Sequence, residues 1–273
     1  MFRVLIPIFL SLVLISCGAT NSVNKASNML PRKGYLFVKK TVKLKKCISK
    51  KCNPVKDKKC TAQKEKCSEK KWRAVGSGFI VRIVHEGAYI MTASHVCRVD
   101  RSKLLPGITI LKESIVVETL DGRNFKATVL EYNPDIDACL MFAENLVSSV
   151  EEVKLSNEAP EEGDKVFNIA SPYGIHYVDV VPIFEGRYIG KRNTVAFYTF
   201  PAAPGSSGSM ILNHKGELIG LLHSVYFKMN TIIVSVTYTD LINFIKSGIR
   251  KHEAGESKYI KYVPNYSKYL PYN

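Results

Sequence analysis

Pro204-Gly205-Ser206-Ser207-Gly208-Ser209 runs directly into the apolar stretch Met210-Ile211-Leu212. A serine between glycines, ahead of a strand-like run, supplies a nucleophile and a tight turn together. Gly205 can adopt a conformation costly for other residues, turning the N–H groups of positions 205 and 207 towards one point. Two earlier stretches carry what such a serine needs. Tyr89-Ile90-Met91-Thr92-Ala93-Ser94-His95-Val96 is an apolar strand that delivers a histidine just past its end. Asn133-Pro134-Asp135-Ile136-Asp137-Ala138-Cys139-Leu140 is a polar turn followed by an acidic residue entering an apolar strand. Amide hydrolysis needs a nucleophile, a base to take its proton and a group that fixes the base's tautomer. It also needs backbone N–H donors aimed at the developing oxyanion. Each stretch alone is commonplace. Together, in the order His, Asp, Ser, they are hard to obtain by chance.

Outward from these stretches the chain reads mostly as strands. Residues 114–120 and 124–132 flank Asp121-Gly122, a hairpin signal. Residues 36–44 and 79–83 alternate, and further strand-like runs cover 88–92, 138–142, 165–169, 177–183, 195–200, 209–212, 218–223 and 231–237. Only residues 239–251 have helical spacing, with Leu241, Ile242, Phe244, Ile245 and Ile249 on one apolar face. Many short strands with one late helix predict an all-β protein built as a barrel or sandwich pair.

These residues carry a resemblance to a known family. The order His, Asp, Ser is that of chymotrypsin and differs from the subtilisin and α/β-hydrolase orders. With Gly76-Ser77-Gly78-Phe79, Gly163-Asp164-Lys165-Val166, Ala170-Ser171-Pro172-Tyr173-Gly174 and Gly216-Glu217-Leu218-Ile219-Gly220, the chain resembles trypsin-like serine proteases of the chymotrypsin fold. The similarity spans about residues 71–251 and is nearest to the Deg/HtrA branch and the glutamyl endopeptidases. It implies two six-stranded antiparallel β-barrels with a C-terminal helix. It makes His95 the general base, Asp137 its orienting partner and Ser207 the nucleophile, with Gly205 and Ser207 as oxyanion donors. Ser206 stands where the family often has Asn, and Ser209 where it often has Gly. Both serines rival Ser207 on paper, but only Ser207 has the G-x-S-G framing. Asp135 rivals Asp137, which is preferred because apolar residues follow it directly. The implied specificity pocket involves Pro201, Ala202, His223, Ser224 and Val225. It holds no acidic residue, so small or apolar side chains at the cleavage position are expected. Such chemistry needs no cofactor and no metal. The alternative is a non-catalytic binding protein on a protease scaffold.

The implied organisation is a signal peptide over residues 1–16, a linker over 17–33 and a protease domain over 34–251. Within that domain the N-terminal barrel spans about 34–155, with a lysine- and cysteine-rich loop at 46–71. The C-terminal barrel spans about 160–238, the helix 239–251, and a tyrosine-rich tail 252–273. Arg3 precedes the apolar run 4–15, which ends in Leu14-Ile15-Ser16-Cys17 and resembles a bacterial lipoprotein signal. Lipidation of Cys17 would anchor an exported chain at a membrane of the cell envelope.

Composition narrows the remaining choices. With 273 residues, 46% of them hydrophobic, the chain has ample apolar surface for a folded core, which excludes a disordered protein. The net charge is +15, but residues 39–73 hold 15 basic and 3 acidic residues, or +12 of it. The basicity therefore belongs to one segment, which could meet an anionic surface or an acidic partner. Aromatic interleaving is absent from residues 47–71, so base stacking with nucleic acid is not expected. Six cysteines remain beyond Cys17. Cys47, Cys52, Cys60 and Cys67 lack the tight C-x2-C spacing of a zinc knuckle, which favours disulfides in an exported chain. Cys97 and Cys139 either pair or stay as buried thiols.

Overall fold

Strand order and register build two closed barrels. The structure is a computed structural model that describes residues 29–49, 65–226 and 229–256. The signal-like segment, Cys17, Cys52, Cys60 and the tyrosine-rich tail beyond residue 256 lie outside these residues. The first barrel contains β1 (Tyr35–Ser49), β2 (Glu65–Val84), β3 (Gly87–Ala93), β4 (Ile108–Thr119), β5 (Asn124–Asn133) and β6 (Ala138–Glu144), closed in the order β1-β2-β3-β6-β5-β4. The second contains β7 (Lys165–Ile169), β8 (Ile183–Arg192), β9 (Val195–Thr199), β10 (Met210–Asn213), β11 (Leu218–Tyr226) and β12 (Met229–Val236), closed as β10-β11-β12-β9-β8-β7. All pairings between these strands are antiparallel. The expected all-β architecture of two six-stranded barrels is therefore what the chain adopts.

Period-two alternation explains the first core. Leu36 and Val38 of β1 point inwards with Ile80, Ile90, Val117, Val129 and Met141. Tyr188, Tyr198, Phe200, Ile211, Leu222 and Ile233 fill the second barrel. A one-turn helix, α1 (Ser94–Cys97), follows β3. The last element, α2 (Tyr238–Glu253), begins at Thr237, whose Oγ1 accepts from the Asp240 N–H at 3.3 Å. Although α2 follows the second barrel, it packs back on the first. Lys251 Nζ donates to Glu131 Oε1 at 2.7 Å, and Tyr89 Oη and His252 Nδ1 lie 2.9 Å apart.

Two expectations fail locally. The run 177–183 is a loop up to the start of β8, with a single Tyr177–Val180 bridge; Val181 is buried, but Tyr177, Val178 and Val180 are exposed. Asp179 there has a φ of +60°, which breaks extended pairing. The strand instead is β8, whose buried Tyr188 and half-buried Phe184 are interleaved with charges and glycines that hide the pattern. The supposed loop at 46–71 is strand at both of its described ends, since β1 continues to Ser49 and β2 starts at Glu65. Cys47 and Cys67 face each other in its register and form a disulfide. A second disulfide joins Cys97 of α1 to Cys139 of β6. No candidate metal cluster occurs among the described residues.

Candidate active site

Three elements of the first barrel set the position of His95. The wholly buried β3 carries the chain inwards, and α1 then turns it so that the His95 side chain stays half exposed. Asp137 arrives on the tight turn before β6, at a φ of +48° that is uncommon for any residue but glycine. Its carboxylate grips His95 twice. Oδ1 accepts the His95 backbone N–H at 3.0 Å, and Oδ2 lies 2.7 Å from Nδ1. The Asp137 carbonyl accepts the Ser94 N–H at 3.0 Å. A carboxylate only accepts, so Nδ1 carries the proton and Nε2 is left as the acceptor.

Lys40 holds the other side of α1. Its side chain is buried in the even-numbered, inward face of β1, and Nζ donates to the carbonyls of His95 at 2.9 Å and Arg98 at 2.8 Å. Burial pulls its pKa down to about 8. The Trp72 ring lies 5.6 Å from Nζ. With the Cys97–Cys139 bridge, the turn that bears His95 is fixed on every side.

The loop bearing Ser207 belongs to the second barrel but presses against the first. The Ser77 N–H of β2 donates to the Ser207 carbonyl at 2.8 Å. A Cβ at Gly208 would stand 2.2 Å from Thr92 Oγ1 and 2.3 Å from the Ser77 carbonyl oxygen. Only glycine lets this loop seat beside the end of β3, two residues before His95. Gly205, at a φ of +102°, makes the preceding bend.

Hydrogen bonds pin the loop one peptide unit at a time. The Pro204 carbonyl accepts from the Tyr173 N–H at 2.6 Å, and the Ser206 carbonyl accepts from the Ser209 N–H at 3.1 Å. The Ser206 N–H donates to Ala203, and the Gly208 N–H to Leu222. In a trans peptide the N–H points opposite to its carbonyl, so pinning the carbonyls of 204 and 206 aims the N–H groups of 205 and 207 the other way. Those two N–H groups find no acceptor among the described residues. An oxyanion would find its donors there.

The rival residues are occupied otherwise. Ser206 and Ser209 are buried; Ser206 Oγ accepts the Ala203 N–H at 3.4 Å and Ser209 Oγ accepts from Asn168 Nδ2 at 2.8 Å. Ser207 is partly open to solvent. The Asp135 N–H instead closes a turn on Asn133 Oδ1. Of the suggested pocket residues, Pro201, Ser224 and Val225 are exposed and Ala202 is buried. His223 sits beside the Asp137 carboxylate, with Nδ1 3.9 Å from Asp137 Oδ2 and 3.2 Å from Ser224 Oγ. Burial pushes its pKa below the ordinary histidine value, Asp137 pulls it up and His95 pushes it down.

Sequence reasoning missed Lys40, Ser77 and Ser171. The signal for Lys40 was its even position between Val38 and Val42, where a charge interrupts the inward face of β1. Ser77 and Ser171 lay inside quoted family segments, but their polar partners are remote in sequence.

The sequence model of the family described as trypsin-like peptidase domain matches residues 76–221. A relative described as a probable periplasmic serine endoprotease, DegP-like, from Buchnera aphidicola subsp. Baizongia pistaciae is 29% identical over 157 residues, 55% of this chain and 30% of the relative. The matched part thus spans under a third of that relative's length. Among solved structures, the serine endoprotease from Yersinia pestis aligns with a TM-score of 0.57 at 18% identity, covering 85% of this chain and 68% of that one. The HtrA-type protease AlgW with decapeptide aligns at 0.57 and 20% identity, covering 84% and 68%. These likenesses are to the fold.

Proposed function

This chain belongs to the trypsin-like peptidase domain family, and we propose that it is a serine endopeptidase acting through His95, Asp137 and Ser207. His95 Nε2 takes the Ser207 proton as Oγ attacks the scissile carbonyl carbon. The oxyanion that forms is held by the N–H groups of Gly205 and Ser207. His95 then gives its proton to the leaving amine, and the C–N bond breaks to leave an acyl ester on Ser207. Water, deprotonated by His95, attacks that ester, and return of the proton to Ser207 Oγ completes the cycle. Asp137 keeps the tautomer fixed throughout and stabilises the imidazolium.

The observation that carries this reading is the pairing of the 2.7 Å His95–Asp137 contact with a nucleophile loop whose two N–H groups are left free. Its test is labelling of the chain by a fluorophosphonate probe together with hydrolysis of casein. Both are expected to vanish in Ser207→Ala while the fold persists. Labelling that survives the substitution removes Ser207 from the role, and a wild-type chain inert to both supports the binding-protein alternative.

Export and anchoring through lipidated Cys17 belong to the same proposal. They rest on the sequence of residues 1–17, and the relative's description as periplasmic agrees with export. The proposed catalytic unit is residues 34–251, with polypeptides as substrates.

A further inference from the structure

The outer face of the β1-β2-β4 sheet carries a grid of cations. Lys43 of β1 stands directly opposite Lys71 of β2 on one side and Lys112 of β4 on the other. Like charges placed directly opposite destabilise a sheet, so three in one row oppose folding and invite a functional explanation. Residues two apart on a strand share a face, which adds Arg73 of β2 and Lys45 of β1. All five are exposed, and none has an ion-pair partner among the described residues. The same patch holds one acidic residue, Glu69, opposite Lys45.

This face leads from the proposed nucleophile. Along β2, Ser77, Val75, Arg73 and Lys71 lie on one side of the strand. Ser77 is buried against the Ser207 loop, Val75 is 42% exposed, and the two cations are open. β3 pairs with β2 only from Phe79 onwards, so residues 71–75 have no partner strand on the β3 side. The pocket residues proposed for the acyl half of a substrate lie on the other flank of Ser207, on β11 and the segment before the loop. The half after the scissile bond is therefore left to run over β2. At about 3.3 Å per extended residue, Arg73 and Lys71 fall about 13 and 20 Å from Ser77, roughly four and six residues along a substrate strand.

We propose that this grid binds acidic side chains about four to six residues beyond the cleaved bond, so that the enzyme prefers polypeptides with an acidic segment there. The inference rests on the peptidase reading and extends it to a substrate class. Charge complementarity favours an acidic peptide. Lys43 reinforces Lys71 from the central strand, and Lys45 and Lys112 widen the positive field.

The test uses the full chain. One bond cleaved in casein is identified by mass spectrometry, and the surrounding peptide is synthesised with Glu, Gln or Lys at the fourth to sixth residues beyond it. The Glu peptide is expected to exceed the Lys peptide at least tenfold in kcat/KM, with the difference carried by KM and shrinking in high salt. The triple variant Lys43→Gln, Lys71→Gln, Arg73→Gln should lose this preference while cleaving the Gln peptide at the wild-type rate. Equal rates on all three peptides, or a preference that survives in the variant, overturn the proposal alone. Absence of any casein cleavage defeats the peptidase reading with it. Binding to phosphatidylglycerol vesicles through the same cations, with no peptide preference, overturns it in favour of a lipid-facing surface.

Discussion

The Ser77 hydroxyl of the first barrel donates to the Gly205 carbonyl of the second at 2.9 Å. The same Oγ accepts the Ser171 N–H at 3.1 Å, and Ser171 Oγ donates to the Gly205 carbonyl at 3.3 Å. Two buried hydroxyls thus hold the bend that precedes Ser207, while the Ser77 N–H holds the Ser207 carbonyl. One N-barrel residue grips the loop at two points.

Ser77→Ala keeps its N–H contact but removes one of the two hydroxyl donors to the Gly205 carbonyl. Removal of one oxyanion donor costs about 100- to 1000-fold in kcat, and loosening the loop that aims the donors should cost less, about tenfold. The expected signature is a fall in kcat with KM little changed, matched by slower fluorophosphonate labelling. A fall confined to thermal stability would assign Ser77 a structural role only.

Lys40 gives a stability prediction with a definite sign. Its folded-state pKa of about 8 lies below the ordinary lysine value of 10.5, because burial disfavours the ammonium. Above about pH 8 the native chain sheds this proton while the unfolded chain keeps it until near 10.5, so this group's contribution to stability rises with pH across that window. Lys40→Met should remove that rise in thermal melts. It should also remove the Nζ donor to the His95 and Arg98 carbonyls, at a cost of about 1–3 kcal/mol for a buried acceptor left unmet. A variant with an unchanged pH dependence of melting would contradict the assignment.

His223 works in the acid range. Burial holds its pKa below the ordinary value, so the unfolded chain takes up its proton first as pH falls, and native stability drops through that window. A His223→Asn variant is expected to lose less stability than wild type between neutral and mildly acidic pH. Identical acid sensitivity in urea melts would count against a buried, neutral His223.

Local pattern revealed much of this molecule. The alternation in residues 36–44 and 79–83, the Asp121-Gly122 hairpin and the apolar stripe on the final helix were readable because each is set by neighbours within a few residues. Strand β8 was not. Its outward positions carry Glu185, Arg187 and Lys191 and it contains Gly186 and Gly190, so its apolar period shows only once a barrel exists to bury Tyr188. The loop at 177–183 misled for the opposite reason, since Tyr177, Val178 and Val180 there remain exposed.

Sequence by itself determined the β-rich class, the order of the His95, Asp137 and Ser207 stretches and the glycines that let Ser207 sit on a turn, because residue type and spacing fix backbone options locally. Tertiary structure alone decided that His223 faces Asp137 and that Cys97 joins Cys139. It also decided that Lys40, Ser77 and Ser171 brace the site. Hydrogen bonds and ion pairs of this kind act over a few ångströms, whereas the partners are about 40 to 130 residues apart along the chain. Barrel closure brings them within reach.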